Sequence, residues 1–187
     1  MALGEQNPTD ELLSELTQAK PVRNHDMLTE LGTFPTATLL KLHAGIAEEL
    51  KVRGVTRTAN NPVGDLAEYL FCKAFGLTQS GNSNSNIDAI LDGVRYQIKG
   101  RRWSGQRKAR QLGAIRDFAG KNFDFLAAVI FTSDYSIYRA ALIPYGVVEQ
   151  HATFVKRTNS HKFMLHEEIW EIEGVEDVTE KLRSVAM

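Results

Sequence analysis

The chain has 187 residues, of which 43% are apolar and 24% charged, and its formal net charge is −1. That length fits one domain or two very small ones, and the composition supports a packed core rather than a disordered chain. A single cysteine, Cys72, excludes a disulfide framework and a thiolate-rich zinc site; no apolar run approaches the ~20 residues of a membrane-spanning helix; and near-neutrality, taken alone, argues against a dedicated nucleic-acid or membrane-surface protein.

The first residues, MALGEQNPTDELL, lack a basic segment followed by an apolar stretch, so no secretory signal is expected, and a cytoplasmic protein with no membrane partner is the default. Residues 10–19 (DELLSELTQA) read as a short amphipathic helix. Residues 36–53 form a stronger one, with Pro35 and Thr36 at its start, Leu39, Leu42, Ile46 and Leu50 at helical spacing, and Gly54 as a stop. Packing is the expected role of both.

A third helix is expected over residues 62–75. Asn61 can cap it, Pro62 suits its first turn and Gly76 can end it. Val63, Leu66, Ala67, Leu70 and Ala74 recur on one face. At about 100° per residue, Glu68 falls on the flank of that face beside Gly64, Phe71 and Phe75, with the polar pole nearer Asp65 and Tyr69. A half-buried carboxylate calls for a cation, a hydrogen-bond donor or a metal.

A hairpin follows. Residues 86–91 and 94–100 are short strand-like runs around Asp92-Gly93, one of the best two-residue turns. That turn sets Leu91 opposite Val94, Ile90 opposite Arg95, Ala89 opposite Tyr96 and Asp88 opposite Gln97. Lys99, two residues beyond Gln97, points the same way, so Asp88, Gln97 and Lys99 are expected on one face, with Ile87, Ala89, Tyr96 and Ile98 on the other. A second strand pair is expected over 123–133 and 135–145, its first run apolar enough for a central strand. Helical or irregular segments follow over 146–157, then a small strand near Trp170 and a last helix near 178–185. The order implies an α/β (α+β) domain, a mixed sheet with helices around it and extra N-terminal helices. The expected division is a helical extension over 1–60, packed on a core domain over 61–187.

A carboxylate and an amide oxygen are hard ligands for Mg²⁺, with the Ile98 carbonyl as a third oxygen, and a lysine beside them can position a water. Equally, Asp88 and Lys99 can form an ordinary cross-strand ion pair. Asp88 followed by Gln97-Ile98-Lys99, with a helical Glu68 upstream, resembles the PD-(D/E)XK nuclease superfamily, whose core runs helix, three strands, helix, strand. The stretches NNPVGDLAEYLFCKAFGL, NIDAILDGVRYQIKGR and GVEDVTEKLR are similar to a bacterial branch of it related to restriction-endonuclease-like domains. The resemblance covers roughly residues 36–187. It implies that Asp88 and Gln97 bind Mg²⁺ (or Mn²⁺), that Lys99 serves the attacking water, and that Glu68 is the helical acid. Gln97 departs from the usual Asp or Glu. The implied activity is metal-dependent endonucleolytic hydrolysis of DNA, double-stranded by preference, in restriction, repair or phage defence, with a homodimer if both strands are cut. The alternative is a degenerate nuclease fold that binds DNA or a protein without cutting.

Between Asp92 and Asp117 there is no acid, while Arg95, Lys99, Arg101, Arg102, Arg107, Lys108, Arg110 and Arg116 give +8. Arg101, Arg102, Arg107, Lys108 and Arg110 are candidate phosphate contacts, and Trp103 either stacks on a base or plugs the core. Residues 1–50 hold eight acids against three bases, and residues 165–187 seven against two. Net neutrality is therefore a cancellation between segments. The five histidines show no metal-ligand spacing with Cys72, and Cys72 reads as core. The SNSN run over 83–86 is a polar loop.

Overall fold

A computed structural model of the chain describes residues 29–58, 61–80, 87–103, 105 and 110–186. The helix expected over 10–19 lies outside them. The chain divides into two compact units, Met1–Ile46 and Ala47–Met187, so residues 47–60 group with the sheet-bearing unit.

Helix α1, Thr36–Val52, runs from the first unit into the second, and its bounds are those the sequence predicts. Of the four residues at helical spacing, Leu39, Leu42 and Leu50 are half-buried. No α1 residue is fully buried, and Leu40, Ile46 and Val52 are largely exposed.

The second unit is built on a mixed sheet. Helix α2, Val63–Phe75, begins after Pro62, and the Asn61 side chain accepts the Val63 N–H at 3.2 Å. Gly76 ends it in the left-handed region, where glycine is unhindered (φ 67°). Strands β1 (Thr78–Gln79), β2 (Ala89–Leu91), β3 (Val94–Arg102), β5 (Phe125–Phe131), β6 (Ile137–Pro144) and β9 (Glu176–Asp177) form one sheet in the order β1-β2-β3-β5-β6-β9. Only β3 and β5 are parallel; the other pairs are antiparallel. A second sheet, β4-β8-β7, joins Ile115–Arg116, Ser160–Lys162 and Thr153–Val155. Helices α3 (Tyr145–His151) and α4 (Thr179–Arg183) complete the unit.

Each face of the large sheet has its own core. On one side, Ala67, Leu70 and Phe71 of α2 and Leu182 of α4 cover Ile98, Ala127, Val129 and Phe131. On the other, Leu126, Ala128, Ile130, Ala141 and Ile143 meet Ile115, Phe163, Leu165 and Val148. Leu126 to Phe131 are therefore buried on both faces, as their unbroken apolar run predicts. The fold is α+β, with the sheet between a helical layer and the small sheet.

Two expectations change. The segment around Trp170 is a 3₁₀ helix, Glu167–Glu171, in which Trp170 Nε1 donates to the Ala140 carbonyl at 3.3 Å and Arg139 lies 4.0 Å from the indole centroid. The small sheet was not foreseen. Its strands are two or three residues long, too short to show a period-2 pattern, and β4 pairs with β8 across more than 40 positions of sequence, although β7 and β8 are near neighbours.

Candidate functional site

The hairpin register matches the expectation at Ala89–Tyr96, Ile90–Arg95 and Leu91–Val94. It then breaks. Asp88 N–H also reaches the Tyr96 carbonyl, at 2.9 Å, so Asp88 and Ala89 share one partner and no Asp88–Gln97 pair forms. Asp88 instead turns its carboxylate to the Ile98 N–H, which donates to Oδ2 at 2.6 Å. Arg95 donates its N–H to the Asp124 carboxylate and accepts the Asp124 N–H at its carbonyl, both on the β5 side, so the N–H and C=O of Ile98, three residues on, both point to the β2 side, into the gap where β2 leaves β3.

Lys99 Nζ lies 3.8 Å from Asp88 Oδ2, and both side chains are about one-fifth exposed (23% and 20%). Gln97, on the same face of β3 as Lys99, is buried (6% exposed), and its Oε1 has no hydrogen-bond partner. A buried amide oxygen left without a donor costs roughly 1–3 kcal/mol. Ala89, Tyr96 and Ile98 sit in or against the α2-side core, the opposite face, as the pleat requires.

Helix α2 reaches this gap because of Gly100. A Cβ there would lie 2.7 Å from the Val63 carbonyl oxygen and 2.9 Å from Ala67 Cβ, so the bare backbone of β3 lets the helix settle onto it. Glu68 is thereby held half-buried (15% side-chain exposure) within reach of the Asp88 charge. Burial pushes the Glu68 carboxyl above its usual range. The Gln79 hydrogen bond opposes this, the Asp88 charge adds to it, and Arg57 opposes it.

Arg57 is the residue that sequence reasoning missed. Its guanidinium donates to Glu68 Oε2 at 2.6 Å and to Asp65 Oδ1 at 3.4 Å, and its backbone N–H donates to Asp65 Oδ2 at 2.9 Å. Gln79 Nε2 donates to the same Glu68 oxygen at 2.7 Å. The clasp leaves the Asp65 side chain only 14% exposed, although helix periodicity assigns it to the polar pole. No signal in the sequence joins Arg57 to acids 8 and 11 positions later.

The basic stretch divides. Arg101 and Arg102 end β3 and are exposed, with Arg102 donating to the Tyr135 hydroxyl at 2.9 Å. Arg107 and Lys108 lie outside the described residues. Arg110 is occupied: it pairs with Glu167, donates to the Tyr138 hydroxyl at 3.3 Å and stacks 4.3 Å from the Trp103 centroid. Trp103 itself is half-buried, its ring 5.0 Å from that of Tyr138. Both side chains are thus engaged within the protein.

Among the described residues no three His, Cys, Asp or Glu side chains converge as a metal site. The oxygen donors at the gap are two carboxylates, one amide and one backbone carbonyl. Burial pushes the Cys72 thiol up, and the Glu68 charge adds to this, so it is held as a neutral thiol. A cleft of about 800 Å³, lined by Leu66, Tyr69, Tyr135, Ile137 and Arg183, includes none of Glu68, Asp88, Gln97 or Lys99. No helix among the described residues is long and apolar enough to cross a membrane. Comparison with protein-family models and with curated proteins gives no match.

Proposed function

We propose that the chain is a Mg²⁺-dependent phosphodiesterase acting on DNA, with its site at the gap between β2 and β3. The observation that carries this reading is the buried, unpartnered Oε1 of Gln97, two residues before Lys99 on one face of β3. A stable fold gains nothing from such an oxygen, whereas a hard cation accepts it as a ligand. Asp88, Gln97 and the Ile98 carbonyl would hold the ion, and Mn²⁺ would substitute. When bound, it supplies stabilisation of negative charge on a phosphate. The element order agrees with this reading except where the resemblance implies a helix between the third and fourth core strands, which the described residues do not form. It runs α2, β1, β2, β3, a connection over 103–124 and β5, with β4 and a 3₁₀ turn among the described residues of that connection.

The chain's own groups have distinct parts. Asp88 is fixed at Oδ2 by the Ile98 N–H, and its carboxylate would hold the ion. Lys99 Nζ, close to Asp88 and partly open to solvent, orients a water or donates to a phosphate oxygen. Glu68 adds a carboxylate at the margin, and Arg101 and Arg102 hold the backbone. The test is incubation with plasmid, linear and single-stranded DNA in Mg²⁺ or Mn²⁺ against a chelator control. Metal-dependent cleavage that disappears in Asp88→Ala and Lys99→Ala is expected; equal cleavage in both variants would refute the assignment.

A second reading has a specific observation behind it. The Glu68 oxygen Oε2 already accepts from Arg57 and Gln79, and Gln97 is neutral. Both features weaken a metal site and favour a degenerate fold that binds DNA or a protein without cutting. That protein would retard DNA in a salt-dependent way, or engage a protein partner, and show no Mg²⁺ site near Asp88.

A further inference from the structure

The small sheet carries a run of aromatic rings that no part of the proposed site uses. Phe154, on the edge strand β7, is 54% exposed. Its ring centroid lies 5.2 Å from that of His161 on β8, which lies 4.6 Å from Phe118, which stacks on Tyr145 at 4.9 Å. The four rings line a cleft of about 370 Å³, at the low end of the roughly 300–1,000 Å³ of small-ligand sites. Lys121 stands 5.5 Å from the Tyr145 centroid. One acid, Glu149, lines the cleft and is hydrogen-bonded by the Tyr145 hydroxyl at 3.3 Å.

The charge along this part of the chain is distinctive. Between Glu149 and Glu167 the chain has no acid, and it has Lys156, Arg157 and Lys162. Elsewhere Arg53, Arg57, Arg95, Arg110, Arg139 and Arg183 each pair with a carboxylate. Arg116, Lys156, Arg157 and Lys162 pair with none among the described residues, and all four are exposed. By the ladder register Arg116 and Lys162 share the sheet face opposite Phe154 and His161, Lys156 and Arg157 follow Phe154 in the turn to β8, and Lys121 lines the cleft itself. A cation beside an exposed ring presents two surfaces at once, one for phosphate and one for a flat π-face.

The platform also lies close along the chain to the gap at β2–β3. A Cβ on Gly113 would lie 3.8 Å from Lys99 Cδ, and Ile115, two residues on, pairs with His161. Three residues, from Gly113 to Arg116, span at most about 11 Å.

We propose that Phe154 and His161, with Lys121 in the same cleft and Lys156 and Arg157 in the turn that follows Phe154, form a stacking platform for an unpaired base of a single-stranded nucleic acid. This platform deepens the reading of the chain as a protein acting on DNA and rests on it for the identity of the strand. It assigns a substrate with single-stranded character, such as an end, a gap or a displaced base, held a short way from the scissile phosphate.

The test is fluorescence anisotropy of a labelled twelve-nucleotide oligothymidine at fixed salt in chelator. Phe154 is exposed, so its variants keep the fold. Wild type should bind the oligonucleotide, and Phe154→Ala should weaken it by roughly five- to a hundredfold. Phe154→Trp should retain binding, and an abasic oligonucleotide of equal length should bind wild type as weakly as oligothymidine binds Phe154→Ala. Equal binding by wild type and Phe154→Ala would overturn the proposal. So would wild-type binding to an acidic tryptophan-bearing peptide but not to the oligonucleotide, which would assign the cleft to a protein partner. The two readings fail separately. Ring-dependent binding in chelator without cleavage in Mg²⁺ keeps the platform and removes the nuclease; cleavage with Phe154-independent binding does the reverse.

Discussion

Ile98 donates its backbone N–H to the Asp88 carboxylate at 2.6 Å, and that bond fixes the acid at the point where β2 leaves β3. The donor would otherwise be an orphan, because the strand that should have satisfied it has departed. One carboxylate oxygen, Oδ2, thus takes the place of the missing strand. Asp88→Asn keeps an acceptor for Ile98 and removes the charge. Metal-dependent plasmid cleavage should fall by more than the roughly 10–100-fold typical of losing a partner outside the ligand shell, with little change in thermal midpoint. Cleavage within twofold of wild type would remove Asp88 from the site.

Gln97 should separate stability from activity. Gln97→Met replaces an unsatisfied buried amide with an apolar chain of similar length, so the urea midpoint should rise, by up to roughly 1–3 kcal/mol in unfolding free energy. Cleavage should be lost. Gln97→Glu should retain it and bind Mg²⁺ more tightly by calorimetry. Full cleavage in Gln97→Met would mean the orphan oxygen is not a ligand.

Gly100→Ala inserts a methyl 2.7 Å from the Val63 carbonyl oxygen. Helix α2 must lift, at a cost of about 1–3 kcal/mol, and Glu68 moves with it. Urea denaturation checks the first effect. An unchanged midpoint would mean that the helix–strand approach is not as close as the geometry requires.

Acid dependence should have two opposing contributions. Burial raises the Glu68 carboxyl in the folded state, so its stabilising contribution is complete below the ordinary value of 4.5 and is lost as pH rises through the raised value. Burial also acts to raise Glu167 and Asp177. Arg139 hydrogen bonds overcome it at both, with Arg110 aiding at Glu167 and Thr179 at Asp177, and both end lowered. Their contribution is present above the ordinary 4.5 and 3.8 and is lost as pH falls. Urea midpoints across this range should show Glu68→Gln gaining on wild type as pH rises. Glu167→Gln with Asp177→Asn should lose ground to wild type at neutral pH and converge with it in acid. Parallel profiles would contradict both assignments.

Arg101 and Arg102 should act through phosphate. Replacing both with alanine should weaken duplex binding across sequences alike. The slope of log affinity against log salt should shrink by about 0.9 for each phosphate no longer neutralised. A sequence-selective loss with an unchanged slope would place them at base edges instead.

Local sequence carried much of this structure. Asp92-Gly93 fixed the hairpin register to Ala89, because a two-residue turn leaves no slack, and the periodicity of 63–75 with Asn61, Pro62 and Gly76 bounded α2. The register failed at Asp88, where a shared partner replaces the next ladder pair, and no residue pattern announces that. Long-range pairing was equally silent. The Arg57 clasp on Glu68 and the Arg110 stack on Trp103 and Glu167 withdraw charges that the sequence presents as free. The apolar spacing of α1 read as a core face, yet none of its residues is more than half-buried.

The parallel pairing of β3 with β5 bears on how the molecule assembles. The β2–β3 hairpin closes across two residues, an event of microseconds, and β5–β6 closes across the short turn after Phe131. Joining them means closing the long connection over residues 103–124, which is the costly, non-local step. Asp88, Gln97 and Lys99 are gathered by the fast event, whereas Gly113 and the aromatic platform arrive only with the slow one. A refolding chain should therefore form the acid–lysine pair before it has anywhere to seat a base.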